Sequence, residues 1–520
     1  MNFPLITKSL GIVSLLIGAS MALCLPWALP VCSGTPTIEW NAIGALVASV
    51  AIAVLLGMGL LRLGRGADGR MFRKEALAVV GLSWCLASAL GAAPFLLSGT
   101  RKGHSESPEA TAGVRMSVVD SLFESVSGFS GTGATVITDL EDPQLVPRAI
   151  LFWRSATHFL GGLGIMVLFV ALLGQGSAGK AIFRAELPGP SKDVGHSRVQ
   201  HAAWIFAGIY LGLNATVTIL LLAQGVSLFD ALCHAFGTIA TGGFSTYNDS
   251  VAHFHSVSIE MTITLFMAVS CVNFALLYYV ILLRPGRLFR DAEFWTYTGI
   301  LAGATTLVVG FGLVHGDFAN TTEAVRYSLF QVTSILTNTG FGTHDFDAWN
   351  EFGRGLLFFL MFVGGCAGST SCSIKVIRYL ILAKALSLQT EQVYRPSVIR
   401  PLRLNGEPVE PEVVRDVIVY FATFLAIAVG AWLLLLAFEP DATWSGIGGN
   451  PHEKLMDCAS GVAATINGVG PGLGTIGATR NYAHFQPASR LLLSFLMLLG
   501  RLEIFPILVL FAPRFWGAKQ

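Results

Sequence analysis

Four glycines stand thirteen residues after four equivalent positions, with no gap in any copy: Asp120 to Gly133, Asp230 to Gly243, Tyr327 to Gly340 and Asp457 to Gly470. Each interval is a semi-polar, helix-like run closing on a glycine-centred turn, and the turns read SGTGAT, ATGGFS, TNTGFG and NGVGPG. Long apolar segments flank every copy. Within a bilayer, irregular backbone is tolerated only where protein buries it or where it lines a watery cavity. Four equivalent turns are therefore expected to meet at one cavity, with a narrow, backbone-lined constriction.

The surrounding sequence agrees with a membrane setting. Of 520 residues, 53% are hydrophobic and only 12% charged, against roughly 25% charged in soluble domains. Several apolar runs reach the roughly 20 residues that cross a bilayer as a helix. Little hydrophilic sequence remains for a soluble catalytic domain. The eight cysteines are scattered and mostly lie in apolar runs, as buried thiols do.

Residues 6 to 30 form a retained first span rather than a cleaved signal, because the run is long and lacks a clear small-residue cleavage site. A second span covers Asn41 to Leu61, followed by a basic loop with Arg62, Arg65, Arg70, Arg73 and Lys74. The positive-inside rule places that loop in the cytoplasm. Its Gly64, Gly66 and Gly69 match G-x-G-x-x-G, but a dinucleotide site needs a strand and helix around that motif. Here it joins two membrane spans and reads as a turn.

From residue 75 the chain repeats one plan of long span, re-entrant segment and long span. The spans are Glu75 to Leu97 and Ile150 to Leu173, then Ala202 to Leu222 and Ile259 to Leu283. The third copy has Phe294 to Val314 and Gly355 to Leu386; the fourth has Val413 to Phe438 and Ser489 to Phe511. The fold class is all-α integral membrane, with four pseudo-symmetric helix, pore loop, helix copies around one pore. The units are 1–74 for the N-terminal hairpin, then 75–198, 199–290, 291–410 and 411–520. Lys180, Arg184, Lys192 and Arg198, then Arg284, Arg287 and Arg290, then Lys384 to Arg415 with Arg395, Arg400 and Arg403, mark the inner loops. Asp139, Glu141, Asp142, Asp249, Asp345, Asp347 and Glu351 lie on the opposite side. They either raise the local cation concentration at an outer mouth or are ordinary solvated loop residues.

Glycine lets the chain turn carbonyl oxygens toward a common axis and leaves no side chain in the way. A ring of carbonyls replaces the hydration shell of a monovalent cation. Thr132, Thr241 and Thr339 add hydroxyl oxygens or brace the loops, with Gly242 and Val469 in the equivalent flanking places. No carboxylate stands within two residues of a central glycine, which disfavours a divalent-selective ring of acids.

The four loops, WRSATHFLGGLGIMVL from Trp153 to Leu168, and GGCAGSTSCSIKVIR from Gly364 to Arg378 resemble the TrkH subunit of bacterial Trk potassium uptake systems, within the Trk/Ktr/HKT superfamily. The resemblance covers essentially the whole chain, including the two N-terminal spans. It implies a potassium-selective, channel-like uptake protein of the cytoplasmic (inner) membrane, a homodimer with a pore in each protomer, and a cytoplasmic TrkA-like nucleotide-binding regulatory subunit. Potassium is the transported ion, with no organic cofactor and no nucleic acid. The filter would comprise Thr132, Gly133, Gly242, Gly243, Thr339, Gly340, Val469 and Gly470. A gating loop under it would hold Gly364, Gly365, Gly368, Ser371, Cys372, Ser373 and Lys375.

Two departures stand out. Ser371, Cys372 and Ser373 replace three glycines usual in the family's gating loop, which stiffens it. Ser130 and Gly131 stand where two threonines are more usual. Arg501, within the apolar run LLLSFLMLLGRLEIFPILVL, needs a partner or water, because a mid-membrane charge costs about 2.5–3.5 kcal/mol. Glu503 is two residues on and would not face it on a helix. Arg501 either faces the pore below the filter, as the matching arginine does in the family, or pairs with an acid on another helix. Lys375 either marks the inner interface or points into the pore, and His158 reads as hydrogen-bonded packing rather than a proton relay.

A sodium-conducting relative is the alternative in the same class, although the retained Gly133 argues for potassium. A polytopic enzyme using His158, His234 or Glu503 would need a paired-acid or metal spacing that the sequence lacks. A scaffold would leave the fourfold filter unexplained. No P-loop motif is present, so regulation must come from outside the chain.

Overall fold

In the computed structural model, residues 1–66, 72–102, 113–164, 199–398, 400–446 and 453–517 are described. Gly69, Arg70, Lys180, Arg184, Lys192, Arg198 and the stretch from Ile165 to Leu173 lie outside them. Among the described residues six helices are long and apolar enough to cross a membrane: Phe3–Ala28, Trp40–Leu63, Lys74–Leu97, Ala203–Ala223, Ala292–His315 and Pro411–Phe438. The first two pack as a close pair. Ser14 donates to the Ala53 carbonyl at 2.6 Å, and a side chain on Gly11 would crowd the Gly57 carbonyl. Small residues at such a crossing let the backbones approach where lipid supplies no hydrophobic drive.

The other four spans each lead into a short helix: Val118–Ser130, Leu228–Ile239, Thr321–Leu336 and Lys454–Asn467. In the first two copies the aspartate at the head of the thirteen-residue interval has a local cause. In the first copy the Ser117 hydroxyl accepts from the Asp120 amide at 3.2 Å while Asp120 accepts from the Ser117 amide at 2.9 Å, a capping box. Ser227 and Asp230 repeat the first half of it. The third short helix starts earlier, with Asn320 as its cap, so Tyr327 at the equivalent position is free of that duty.

The second helix of the second, third and fourth copies departs from the continuous span that hydropathy predicts, and that of the first is described only as far as Gly164. The first runs Arg148–Leu163 and is capped by Gly164 at φ 70°. The second breaks between Ser270 and Phe274 with a bend of 108°, and the fourth between Arg501 and Phe505 with a bend of 116°. In the third, Glu351–Leu360 and Val376–Tyr394 are separated by residues 361–375. Hydropathy misses these breaks because neighbouring backbone satisfies the freed groups. The Cys271 carbonyl accepts from Cys366 N at 2.9 Å, and Asn273 caps the new helix through Ala275 N at 2.8 Å. Glu503 and Ile504 turn the fourth break at φ 56° and 66°.

Candidate ion-conduction site

All four short helices end the same way. The amide two residues before the central glycine bonds back three residues: Gly131 to Gly128, Thr241 to Thr238, Asn338 to Ile335 and Gly468 to Thr465. The next amide bonds back five, at 2.8–2.9 Å: Thr132 to Ser127, Gly242 to Gly237, Thr339 to Ser334 and Val469 to Ala464. This double bond is the Schellman motif, whose pivot residue is left-handed. The pivots have φ 69°, 55°, 60° and 68°, and the central glycines 82°, 74°, 78° and 94°. Left-handed residues thus alternate with Thr132, Gly242, Thr339 and Val469, which are not left-handed. Alternation of this kind turns successive carbonyls to one side of the chain.

The turns close into a ring in chain order. A side chain on Gly133 would collide with the Gly242 carbonyl, one on Gly243 with Thr339, one on Gly340 with Val469, and one on Gly470 with Thr132. Every central glycine is therefore pressed against the carbonyl just before the next copy's glycine. All eight ring residues of the sequence reading are brought together here. Gly133, Gly243, Gly340 and Gly470 line one small cavity of about 90 Å³ with Arg154, Tyr247, Arg480 and Tyr482. The four short helices aim their C-terminal ends, each carrying roughly half a negative charge, at the base of the ring. Thr132 shares a hydroxyl bond with Ser130 at 2.7 Å, and Thr339 with Thr337 at 2.8 Å. Thr241 instead donates to its neighbour Ala240, at 2.7 Å, and serves as a pivot.

His158 is packing: Nδ1 lies 2.7 Å from the Gly128 carbonyl and Nε2 accepts from Phe244 N at 3.2 Å. A carbonyl can only accept, so the proton sits on Nδ1. Tyr482 donates to the Gly470 carbonyl at 2.8 Å, while its own amide donates to Thr135 O at 2.8 Å. That tyrosine was not legible as part of the site, since nothing in its spacing ties it to a glycine twelve residues earlier.

Residues 361–375 lie beneath the ring. Gly364 N donates to Ile374 O at 3.0 Å, closing the loop on itself. Gly365 N donates to Ser371 Oγ at 2.9 Å, and Gly368, at φ 71°, gives its carbonyl to Phe274 N at 3.1 Å. The Cys372 thiol points at Ser130 O, 3.4 Å away, and fills the space where a side chain on Gly468 would go. Ser373, left-handed at φ 62°, donates to Asn467 Oδ1 at 2.7 Å. The loop thus touches the helix ends of the first and fourth copies. Glu293, from the third copy's long helix, accepts from Ala367 N at 2.8 Å and Ile377 N at 3.0 Å.

The cations of this region have definite partners. Lys375 is buried and donates to the Ser371 carbonyl and, at 3.1 Å, to its hydroxyl. It ties the loop to itself. Arg501 stands in the last turn of its helix, at the break. It donates to Thr370 O at 2.9 Å and Gly161 O at 2.5 Å, with Cys372 Sγ at 3.3 Å. Glu503 pairs with Arg378 at 2.5 Å, and that guanidinium lies 3.9 Å over the Tyr420 ring.

Among the acids of the loops after the ring, Asp139, Glu141 and Asp347 staple loops together. Asp139 and Glu141 accept from Asn248 at 2.9 and 3.0 Å. Asp347 accepts from Gly474 N at 2.9 Å, tying the third copy to the fourth. Burial, with Asp345 adding to it, pushes the Asp347 carboxyl up to about 6. Its folded value lies above the unfolded one, so its stabilising contribution is full below the ordinary carboxylate range and is lost as pH rises through about 6. Thermal unfolding in detergent should show wild type gaining on Asp347→Asn as pH falls from about 7.5 to about 5. Parallel pH profiles for the two proteins would contradict this.

The family model for TrkH, described as a cation transport protein, matches residues 97–518. The chain belongs to the TrkH family. It is 33% identical to the Trk system potassium uptake protein TrkH of Salmonella typhimurium over 522 aligned residues, covering 99% of this chain and 100% of that one. The Escherichia coli K12 protein of the same name is 32% identical with the same coverage. The crystal structure of the potassium transporter TrkH from Vibrio parahaemolyticus superposes with a TM-score of 0.84 at 29% identity, covering 99% of this chain and 100% of that one. As a TrkH family member the chain is a multi-pass inner-membrane transport protein and not an enzyme.

Proposed function

We propose that this TrkH family member takes up potassium through the ring of Thr132, Gly133, Gly242, Gly243, Thr339, Gly340, Val469 and Gly470. The observation that carries the reading is the head-to-tail contact of four left-handed glycines with four carbonyls, which supplies oxygen in place of water and no net charge. The convergent helix ends favour a cation at its base. The membrane potential drives entry, at about 2.3 kcal/mol per unit charge per 100 mV. Residues 361–375 with Arg501 act as the gate. The names of the curated relatives, all potassium uptake proteins, support this choice of ion.

The units 75–198, 199–290, 291–410 and 411–520 act as the four quarters, with 1–74 appended. The chain works as a homodimer under a cytoplasmic TrkA-like nucleotide-binding subunit. The exposed Arg284, Arg287, Arg290, Lys384, Arg395, Arg400 and Arg403 on the inner side offer such a subunit a basic surface. Liposomes holding the purified chain should accumulate rubidium against a potassium gradient and sodium far more slowly. Equal rubidium and sodium uptake would turn the reading to the sodium-permeable alternative, and no uptake of either, with or without the partner, would remove it.

A further inference from the structure

The ring is fourfold in backbone but not in what stands behind it. The residue nine places before each central glycine and the residue two places after it form equivalent pairs in the four copies: Glu124 with Thr135, His234 with Ser245, Gln331 with Gly342 and Gly461 with Gly472. In the first copy Glu124 accepts from the Thr135 hydroxyl at 2.8 Å and from Val136 N at 3.1 Å. In the second, His234 Nε2 lies 3.0 Å from Ser245 Oγ while Nδ1 lies 2.8 Å from the Asp230 carbonyl. The carbonyl requires the proton on Nδ1, so Nε2 accepts from Ser245. In the third, Gln331 bypasses Gly342 and donates to His344 O at 2.7 Å. In the fourth, both places are glycine and no side chain can form this brace.

Arg154 joins the two braced copies. Its Nε binds Glu124 at 2.6 Å and its Nη1 donates to the Ser245 carbonyl at 3.1 Å. The guanidinium lies 3.4 Å from the centre of the Phe244 ring. Glu124 and His234 are 0% exposed and Arg154 is 2% exposed. A buried ion pair adds little net stability, yet a residual unpaired member is costly, so such pairs hold geometry more than they hold the fold.

We propose that Glu124, Arg154 and His234 are positioning residues that hold the first and second quarters of the ring at a fixed distance from the axis, and so set potassium over sodium discrimination. The inference rests on the ring being the filter. Carbonyls free to move inward would follow a smaller ion; the brace resists that movement in two adjacent quarters. The third and fourth quarters are held differently, by Gln331 through His344 and by the Tyr482 hydroxyl on Gly470 O.

The test is the ratio of rubidium to sodium uptake in liposomes for Glu124→Gln, Arg154→Lys, Thr135→Ala and Ser245→Ala beside wild type. The two hydroxyl deletions leave the buried pair intact and guard against variants that fail to fold. Folding is checked by size-exclusion profile and melting. The ratio should fall by roughly tenfold in Glu124→Gln and less in Thr135→Ala and Ser245→Ala, with rubidium uptake retained, as expected for losing the charge of the Arg154 pair against losing a single hydrogen bond. Folded hydroxyl variants with the wild-type ratio would overturn the positioning role even where wild type conducts selectively. Wild type that fails to select rubidium would instead remove the filter reading on which it stands.

Discussion

Gly340→Ser should abolish growth of a potassium-uptake-deficient bacterium at low potassium when the variant is the sole uptake protein. Two effects combine. The residue is left-handed at φ 78°, which costs a side-chain-bearing residue roughly 1–2 kcal/mol. Its new Cβ would also run into the Val469 carbonyl and against Pro471 Cδ. The first effect is tolerable, as Thr241 and Asn338 show by sitting left-handed two places before their own glycines. The second is not, because the clash is with the carbonyl that the ring uses. Rubidium flux in liposomes should drop at least about tenfold, the equivalent of about 1.4 kcal/mol at the barrier. The protein should still reach the membrane, since the short helices and their Schellman ends remain. Undiminished growth and flux would mean that the ring is not the conduction path.

Arg501→Ala should raise flux in the absence of any partner subunit. Arg501 links three parts: the end of its own helix, Thr370 in the loop beneath the ring, and Gly161 in the first copy. If the ring is the conduction path, its charge also opposes a cation descending through it. Removing it releases the loop from two neighbours and lowers the field together. A several-fold rise in basal rubidium uptake is expected, with the rubidium to sodium ratio kept, because the carbonyls above are untouched. Unchanged basal flux would sink the gating role and leave Arg501 as a structural clasp. Glu503 should not substitute for it in either direction, being committed to Arg378.

The sequence made the ring legible because its demand is local. A left-handed residue in van der Waals contact with a neighbouring carbonyl has to be glycine, and that requirement shows in four places at one spacing. The pivots were half hidden. Gly131 and Gly468 announce themselves, whereas Thr241 and Asn338 take the same conformation without the residue that signals it. The long first helices were read correctly since an apolar run of sufficient length is itself the structure. The second helices were not, because a break whose amides and carbonyls are satisfied by Cys366, Thr370 or Asn273 leaves the hydropathy unchanged. Glu503 illustrates the same limit. Its failure to face Arg501 followed from helical geometry, but its actual partner, Arg378, is 125 residues away and no pattern points to it. Serine and cysteine stand in place of loop glycines, and Cys372 and Ser373 each reach an adjoining helix end.

The pivot and ring contacts occur four times in one polypeptide, and that has a genetic consequence. In a pore assembled from four identical chains, any substitution strikes every quarter at once, so only symmetrical outcomes are open to selection. Here a codon change alters one quarter. Gly461 and Gly472 could arise in the fourth copy without stripping Glu124 from the first, and Tyr482 could come to hold Gly470 with no counterpart elsewhere. Permeation in such a chain is adjustable in steps of a quarter.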